Sequence, residues 1–355
     1  MSGVDKDSRV EMPGILAPGQ AGVVFEQYGW FARHLNSVRH HVDHDAHRFI
    51  CQTHQDIPPQ PPRRRGALVL FAHYDPHGIV DPYVVYYLQA LHRLGTTIVF
   101  ISGSPSLTPE SVAPLRSICA GIYTRRTLSL DFGSWHLGWN ILRAHGWSLD
   151  QFDRLVLAND SVYGPLFPLE EMWDSFQDAD MYGSIESLEQ GPHLQSFFLA
   201  WDLNSRTRPF LNDFWENFRY TVNKNRLIQR CEIGLSRRAH KARLRIKPFV
   251  SADAIRDAQK RVPDHQWSQK FAEPQVNNSL YFYDGLIKHL RYPFIKTVLP
   301  RTGSPQHDSL KHLRAFIEEN TTYPYALVQF NLNRLGCDAT TESPRLVNAP
   351  PSPGF

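Results

Sequence analysis

The run Leu155-Val156-Leu157-Ala158 ends in three successive oxygen-bearing side chains, Asn159, Asp160 and Ser161. An apolar run that stops at such a tip reads as a buried strand, and open α/β sheets bind their ligands beyond the carboxyl ends of their parallel strands. Gly164-Pro165 follows and cannot continue a strand, so the tip should be exposed. Two more expected strands end in chemistry-bearing residues. Residues 67–72 run into His73, Tyr74 and Asp75, and residues 121–127 lead to a turn carrying Asp131 and Gly133. Taken singly, each acid is more often a cap or a turn former. Their repetition at consecutive strand ends points to one crevice. One or two carboxylates plus ligand phosphates commonly hold Mg²⁺ or Mn²⁺. Asp160 is therefore the candidate metal ligand, and an ion there would neutralise the charge of a departing diphosphate.

Two later segments add candidates. Glu232 precedes a basic amphipathic stretch, where a carboxylate could be a general base or simply a charge favoured by the helix dipole. In His193-Leu194-Gln195-Ser196-Phe197-Phe198 polar and apolar residues alternate as in a half-buried strand. His193, Gln195 and Phe197 would then share a face that could line a sugar pocket.

The elements that must position these groups alternate strand and helix: strands at 67–72, 96–102 and 121–127, helices at 80–94 and 108–119. Strand candidates follow at 181–187 and 194–201, and an aromatic helix at 208–222. Asp81 before Pro82 and Thr108 before Pro109 read as N-caps followed by the favoured first helical residue. This rhythm implies βαβ units and an open, mostly parallel, Rossmann-like sheet with helices on both faces. Around it, residues 1–22 read as disordered and residues 23–62 as a helical segment ending in a Pro-rich linker. Residues 63–330 form the α/β domain, and 331–355 a loose tail. His40 and His44 stand at i, i+4 and could bind a metal, but a wet helix face explains them as well.

With 355 residues and 42% hydrophobic residues, the chain can bury a sizeable core. No apolar run is long enough to span a bilayer, and no signal peptide is evident, so the expected location is cytoplasmic. The four cysteines form no CxxC pair, which argues against structural zinc and a disulfide framework. A net charge of +3 is too small a footprint for nucleic-acid binding. The basic groups Arg63-Arg64-Arg65 and residues 237–247 could meet acidic headgroups, placing the protein peripherally at the cytoplasmic membrane face.

FAHYDPHGIVDPYVVYYLQAL, DFGSWHLGW, LANDSVYGPLFPLEEMW, HLQSFFLAWD, EIGLSRRAH and YPFIKTVL together resemble, in this order, the rhamnan synthesis protein F family over roughly residues 67–300. The resemblance implies a glycosyltransferase of bacterial surface polysaccharide (O-antigen-type) synthesis. It would move rhamnose from a nucleotide sugar such as dTDP-L-rhamnose to a glycan or lipid-linked glycan. The layout is also similar to that of A-type glycosyltransferases, in which a strand-end Asp-x-Asp holds the metal. Asn159-Asp160-Ser161 would occupy that place, although its first acid is replaced by Asn159. By the same likeness His73, Tyr74 and Asp75 would lie near base and ribose. Asp131 and Gly133 would lie near the nucleotide, His193 and Gln195 near the acceptor, and Glu232 would be the inverting base. Two other classes stay open. One is a non-catalytic binder of nucleotide sugars or glycans, favoured by the altered Asp-x-Asp position. The other is a metal-dependent phosphoesterase built on His73-Tyr74-Asp75, which lacks further His/Asp clusters.

Overall fold

The computed structural model describes residues 50–62, 65–125, 129–221, 223–271, 273, 275–301 and 312–337. The expectations for residues 1–49, including the His40/His44 pair, and for the tail beyond 337 lie outside the described residues.

The centre of the fold is a mostly parallel sheet. Its strands are β1 (Ile50–Gln55), β2 (Ala67–His73), β3 (Thr97–Ser102), β4 (Gly121–Arg125), β5 (Arg154–Asn159), β7 (Met181–Ser187), β9 (Phe198–Asp202) and β10 (Ile246–Val250). They lie in the order β1-β4-β3-β2-β5-β9-β7-β10. The pairs β2–β3, β3–β4, β2–β5 and β7–β10 are parallel, while β1 and β9 run the other way. Two short strands stand outside this order: β6 (Val162–Tyr163), which pairs with β11 (Ile295–Lys296), and β8 (His193–Leu194), which pairs with β7. Helices of eight or more residues are α1 (Pro82–Arg93), α2 (Leu130–Ala144), α3 (Thr207–Glu216), α4 (Ile233–Lys241), α5 (Ala252–Gln259), α6 (Tyr283–Leu290), α7 (Leu313–Asn320) and α8 (Ala326–Arg334).

Alternation along the central strands divides the core into two layers. Val69 and Phe71 of β2, Ile98 and Phe100 of β3, and Val156 and Ala158 of β5 pack with α1 and the carboxyl-terminal helices. Their neighbours Leu68, Leu70, Ala72, Val99, Ile101, Leu155 and Leu157 pack with α2, α3 and α4. Each strand therefore reads as a continuous apolar run, because it is covered on both faces. Helix α2 approaches closely because Gly138 faces Leu70 and Ile101; a Cβ there would stand 2.9 Å from Ile101 Cδ1. Trp135, fully buried, donates its indole N–H to the Ala158 carbonyl at 3.1 Å, tying α2 to the strand that carries Asn159.

Several elements differ from the sequence expectation. β1 begins at Ile50, ahead of residue 63, and covers the β4 edge in antiparallel register. Strand β4 is described as far as Arg125, and the expected residues 126 and 127 lie outside the described residues. The expected helix at 108–119 is one four-residue helix, Pro109–Val112, followed by a 3₁₀ turn, Ala113–Leu115. Pro114 has no N–H for an α-helical bond there. Helix α2 starts at Leu130 rather than Trp135, so Asp131 and Gly133 lie in its first turn and not in a preceding loop; Ser129 and Leu130 adopt left-handed φ of 60° and 46°. The strand expected at 194–201 is broken at Gln195–Phe197. Finally, the segment after 330 is held: helix α8 packs against α1 and continues the domain to Arg334.

Candidate active site

The strand order reverses direction at β2, with β3 on one side and β5 on the other. Such a switch point opens a crevice at the carboxyl ends of the two strands. It is here that His73 closes β2 and Asn159 closes β5.

Three groups of side chains meet around the crevice. In the first, the Tyr74 backbone N–H donates to Asp160 Oδ2 at 3.0 Å, and the Tyr83 hydroxyl donates to the Asp160 carbonyl at 2.9 Å. His73 Nε2 stands 3.7 Å from Asp160 Oδ2. Burial, reinforced by the Asp131 charge, pushes the Asp160 carboxyl up to about 8 against the Tyr74 hydrogen bond. Burial also holds the His73 imidazole down at about 4, so the ring is neutral at physiological pH. His73 Nδ1 is hydrogen-bonded to Ser102 Oγ at 3.0 Å, and Ser102 Oγ in turn bonds Ser104 Oγ at 2.8 Å. The other ring nitrogen, Nε2, faces Asp160. Tyr74 leaves its ring 46% exposed beside this pair.

In the second group, the Asn159 amide N–H donates to Asp131 Oδ2 at 2.8 Å, and Asn159 Oδ1 accepts from the Ser161 N–H at 3.1 Å and its hydroxyl at 2.6 Å. Burial raises the Asp131 pKa despite the Asn159 bond and the nearby Arg125. Asp131 opens α2, where the helix dipole favours its charge.

The third group is built around Glu232, at the end of a π-helical turn (Ile228–Glu232) that leads into α4. Ser196 donates both its N–H, at 3.2 Å, and its hydroxyl to Glu232 Oε2. That carboxylate supplies the partner which the break between β8 and β9 denies to the Ser196 backbone. His193 Nε2 stands 3.6 Å from Glu232 Oε1, while His193 Nδ1 bonds the Gly191 carbonyl at 2.8 Å. Burial works against the charge on each of these two, but their mutual attraction outweighs it. The Glu232 pKa is lowered, with help from Ser196 and Lys296, and the His193 pKa is raised.

The second and third groups face one cavity of about 370 Å³, which brings together Asp131, Asn159, Ser161, His193, Ser196 and Glu232. The Asp160 carboxylate lies just behind its Asn159–Ser161 rim, on the Tyr74 side. Gln195 is off the wall but holds Asn277, which lines it, through a 3.2 Å bond. Two expected donor residues lie elsewhere. Gly133 is buried within the first turn of α2. The Asp75 carboxylate accepts from the His77 and Ile79 N–H groups and pairs with Arg334 at 2.7 Å. Asp81 makes no side-chain cap bond to α1; its oxygens go to Asn331 and Arg334 instead. The loop between β2 and α1 is thus clamped by the last described helix.

Lys224 and Lys296, which also line the cavity, were not singled out from the sequence. Lys296 had a signal: it is the one charged residue in the apolar run Tyr292–Leu299. The antiparallel pairing of β11 with β6, and the bond from the Thr297 N–H to the Ser161 carbonyl at 3.0 Å, place it beside the strand tip.

The strand tip does not fit a divalent ion well. Asn159 is hydrogen-bonded both to Ser161 and to Asp131, and Asp160 turns to a different side. Among the described residues no three His, Cys, Asp or Glu side chains converge as a metal-binding group. Nor is any helix among them long and apolar enough to cross a membrane.

Fold and site together define an α/β protein with a polar cavity, lined by charges of both signs, at the carboxyl end of β5. The chain belongs to the rhamnan synthesis protein F family, which it matches over residues 98–343. That membership supports glycosyl transfer in polysaccharide synthesis as its general class. No curated protein matches the chain. Among solved structures it is similar to a putative nucleotide-diphospho-sugar transferase from Desulfovibrio desulfuricans G20, at 12% identity, with 72% of this chain and 97% of that chain covered and a TM-score of 0.33.

Proposed function

We propose that this protein is an inverting glycosyltransferase of A-type layout that moves rhamnose from a nucleotide diphosphate donor, dTDP-L-rhamnose, to a hydroxyl of a glycan or lipid-linked glycan. The observation that carries the reading is the ionised Glu232 carboxylate, oriented by Ser196 and His193 on the wall of a cavity at the carboxyl end of β5. A base must be ionised at working pH and within reach of the proton it takes.

Glycosyl transfer passes through an oxocarbenium-like transition state. The acceptor oxygen attacks the anomeric carbon as the bond to the diphosphate oxygen breaks, and that oxygen keeps the bonding pair. The acceptor proton passes to Glu232. His193, in turn, keeps the Glu232 carboxylate oriented and charged until that moment. The nucleotide would lie along the β2 end, with the exposed Tyr74 ring against the base and the His73–Asp160 pair beneath the ribose.

The test is a panel of dTDP-, UDP- and GDP-sugars, followed by donor binding and slow donor hydrolysis in wild type and Glu232→Gln. Selective binding of one donor in both proteins is expected, with turnover falling by about 10²-fold or more in the variant. Turnover within a few-fold of wild type would remove Glu232 as the base. A protein that binds a donor without ever turning it over would be a binding module instead.

A further inference from the structure

The cavity wall carries a charge without a direct partner among the described residues, the ammonium of Lys296. Among the described residues the Lys296 ammonium makes no hydrogen bond or ion pair; its close neighbour is the Phe197 ring, 5.4 Å from centroid to Nζ. Burial lowers its pKa, and the Glu232 and Glu189 charges oppose that only from a distance. Lys296 is half-buried, and an ammonium that gives up part of its hydration without replacement hydrogen bonds bears a cost. A ligand that brings an anion to it recovers that cost, and charge-assisted bonds are the strong ones. Lys224 lines the same cavity, on an exposed stretch.

The position of Lys296 is fixed by backbone, not by chance of rotamer. It sits on β11 directly opposite Val162, next to the tip that would hold a metal in an Asp-x-Asp enzyme. That tip, as described above, has its oxygens engaged with one another. Glu232 reaches the cavity from the start of α4, a different element. Both residues line the one cavity, so a donor bound there meets a base and a cation that come from two different elements.

We propose that Lys296, seconded by Lys224, neutralises the donor diphosphate in this protein, and that donor binding and leaving-group departure need no divalent ion. This rests on the transferase reading given above. In the step itself, the bond from the anomeric carbon to the β-phosphate oxygen breaks, and the negative charge that develops on this oxygen is met by the Lys296 ammonium. No proton leaves the lysine, and the nucleoside diphosphate departs as the anion.

The experiment is calorimetric titration of the full chain with dTDP, UDP and GDP, and with the matching nucleoside monophosphates, in chelator and in Mn²⁺. Wild type, Lys296→Met and Lys296→Arg are compared, with circular dichroism melts to confirm folding. The inference expects the preferred diphosphate to bind equally well, within about twofold, in chelator and in Mn²⁺. Lys296→Met should weaken it by about tenfold or more while leaving the monophosphate within about twofold, and Lys296→Arg should recover most of the loss. Diphosphate binding that appears only with Mn²⁺, or is unchanged in a folded Lys296→Met, overturns the inference and leaves the transferase reading standing. If no nucleotide binds wild type in either condition, both fall together.

Discussion

Asn159 donates its side-chain amide to Asp131 Oδ2 at 2.8 Å, so the residue that departs from an Asp-x-Asp pattern is the one that joins the β5 tip to the first turn of α2. A carboxylate at position 159 would put like charges in contact, and burial already raises the Asp131 pKa. Asn159→Asp should therefore lose about 1–3 kcal/mol of stability at pH 8, the cost of an unmet buried acceptor and a like-charge pair. One carboxyl of the pair would have its folded pKa raised, so the deficit should shrink as pH falls and that group takes a proton. Denaturant midpoints at pH 8 and pH 5 check this. Equal midpoints for variant and wild type at both values would mean that the 159–131 bond contributes nothing.

Arg334 answers two buried acids at once, Asp75 at 2.7 Å and Asp81 at 2.6 Å, whose side chains are only 6% and 4% exposed. Removing one partner from such a cluster leaves uncompensated charge and costs about 3–5 kcal/mol. Arg334→Met should lower the urea midpoint accordingly. Arg334→Lys should recover less than half of the loss, because an ammonium cannot reproduce the forked contact. Full recovery by lysine would show that charge alone, not geometry, holds the β2–α1 loop.

The parts of this fold that were legible in the sequence are those set by local pattern. Residues 67–72, 98–101 and 155–158 are unbroken apolar runs because both faces of each strand are covered, and a run of that kind announces itself. Asn159, Ser161, Asp131, His193 and Glu232 were legible as candidates because they stand at the ends of such elements, and the structure brings all five to one cavity wall. Long-range pairings were not legible. Nothing near Ile50–Gln55 says that it will cover β4, and nothing in Val162–Tyr163 names its partner Ile295–Lys296, more than a hundred residues later. The break at Gln195–Phe197 depends on a carboxylate from residue 232, and the Asp75 environment on a guanidinium from residue 334. An acid after a strand looks the same in sequence whether it meets a ligand or an arginine.

The Glu232–His193 pair should set the pH dependence of both stability and rate. Glu232 titrates below its usual 4.5, so its contribution is present above that value and is lost as pH falls through the lowered pKa. His193 titrates above its usual 6.5; its contribution is complete below that value and is lost as pH rises through the raised pKa. The pair therefore stabilises most between those two usual values. His193→Gln should flatten the alkaline side of this profile and move its acid limb upward, because Glu232 loses the partner that lowers its pKa. Ser196→Ala removes a donor from Glu232, so the acid limb of turnover should move upward while donor affinity stays within about twofold. An acid limb that stays where it is in Ser196→Ala would mean that Ser196 positions nothing during turnover.

Tyr74 separates ligand binding from folding better than any other residue at the crevice. Its backbone N–H holds Asp160, and that bond survives any change of side chain except proline. Its ring is 46% exposed, so truncating it leaves no cavity in the core. If the nucleotide base rests on this ring, Tyr74→Ala loses an aromatic contact worth about 0.5–1.5 kcal/mol, or about two- to tenfold in donor affinity. Tyr74→Phe should bind as wild type does, because stacking needs the ring and not the hydroxyl. Melting temperatures of both variants should match wild type to within a few degrees. A Tyr74→Ala protein that binds every nucleotide as tightly as wild type would move the base away from the β2 end. The Glu232 and Lys296 assignments would be untouched, since those residues face the cavity from α4 and β11.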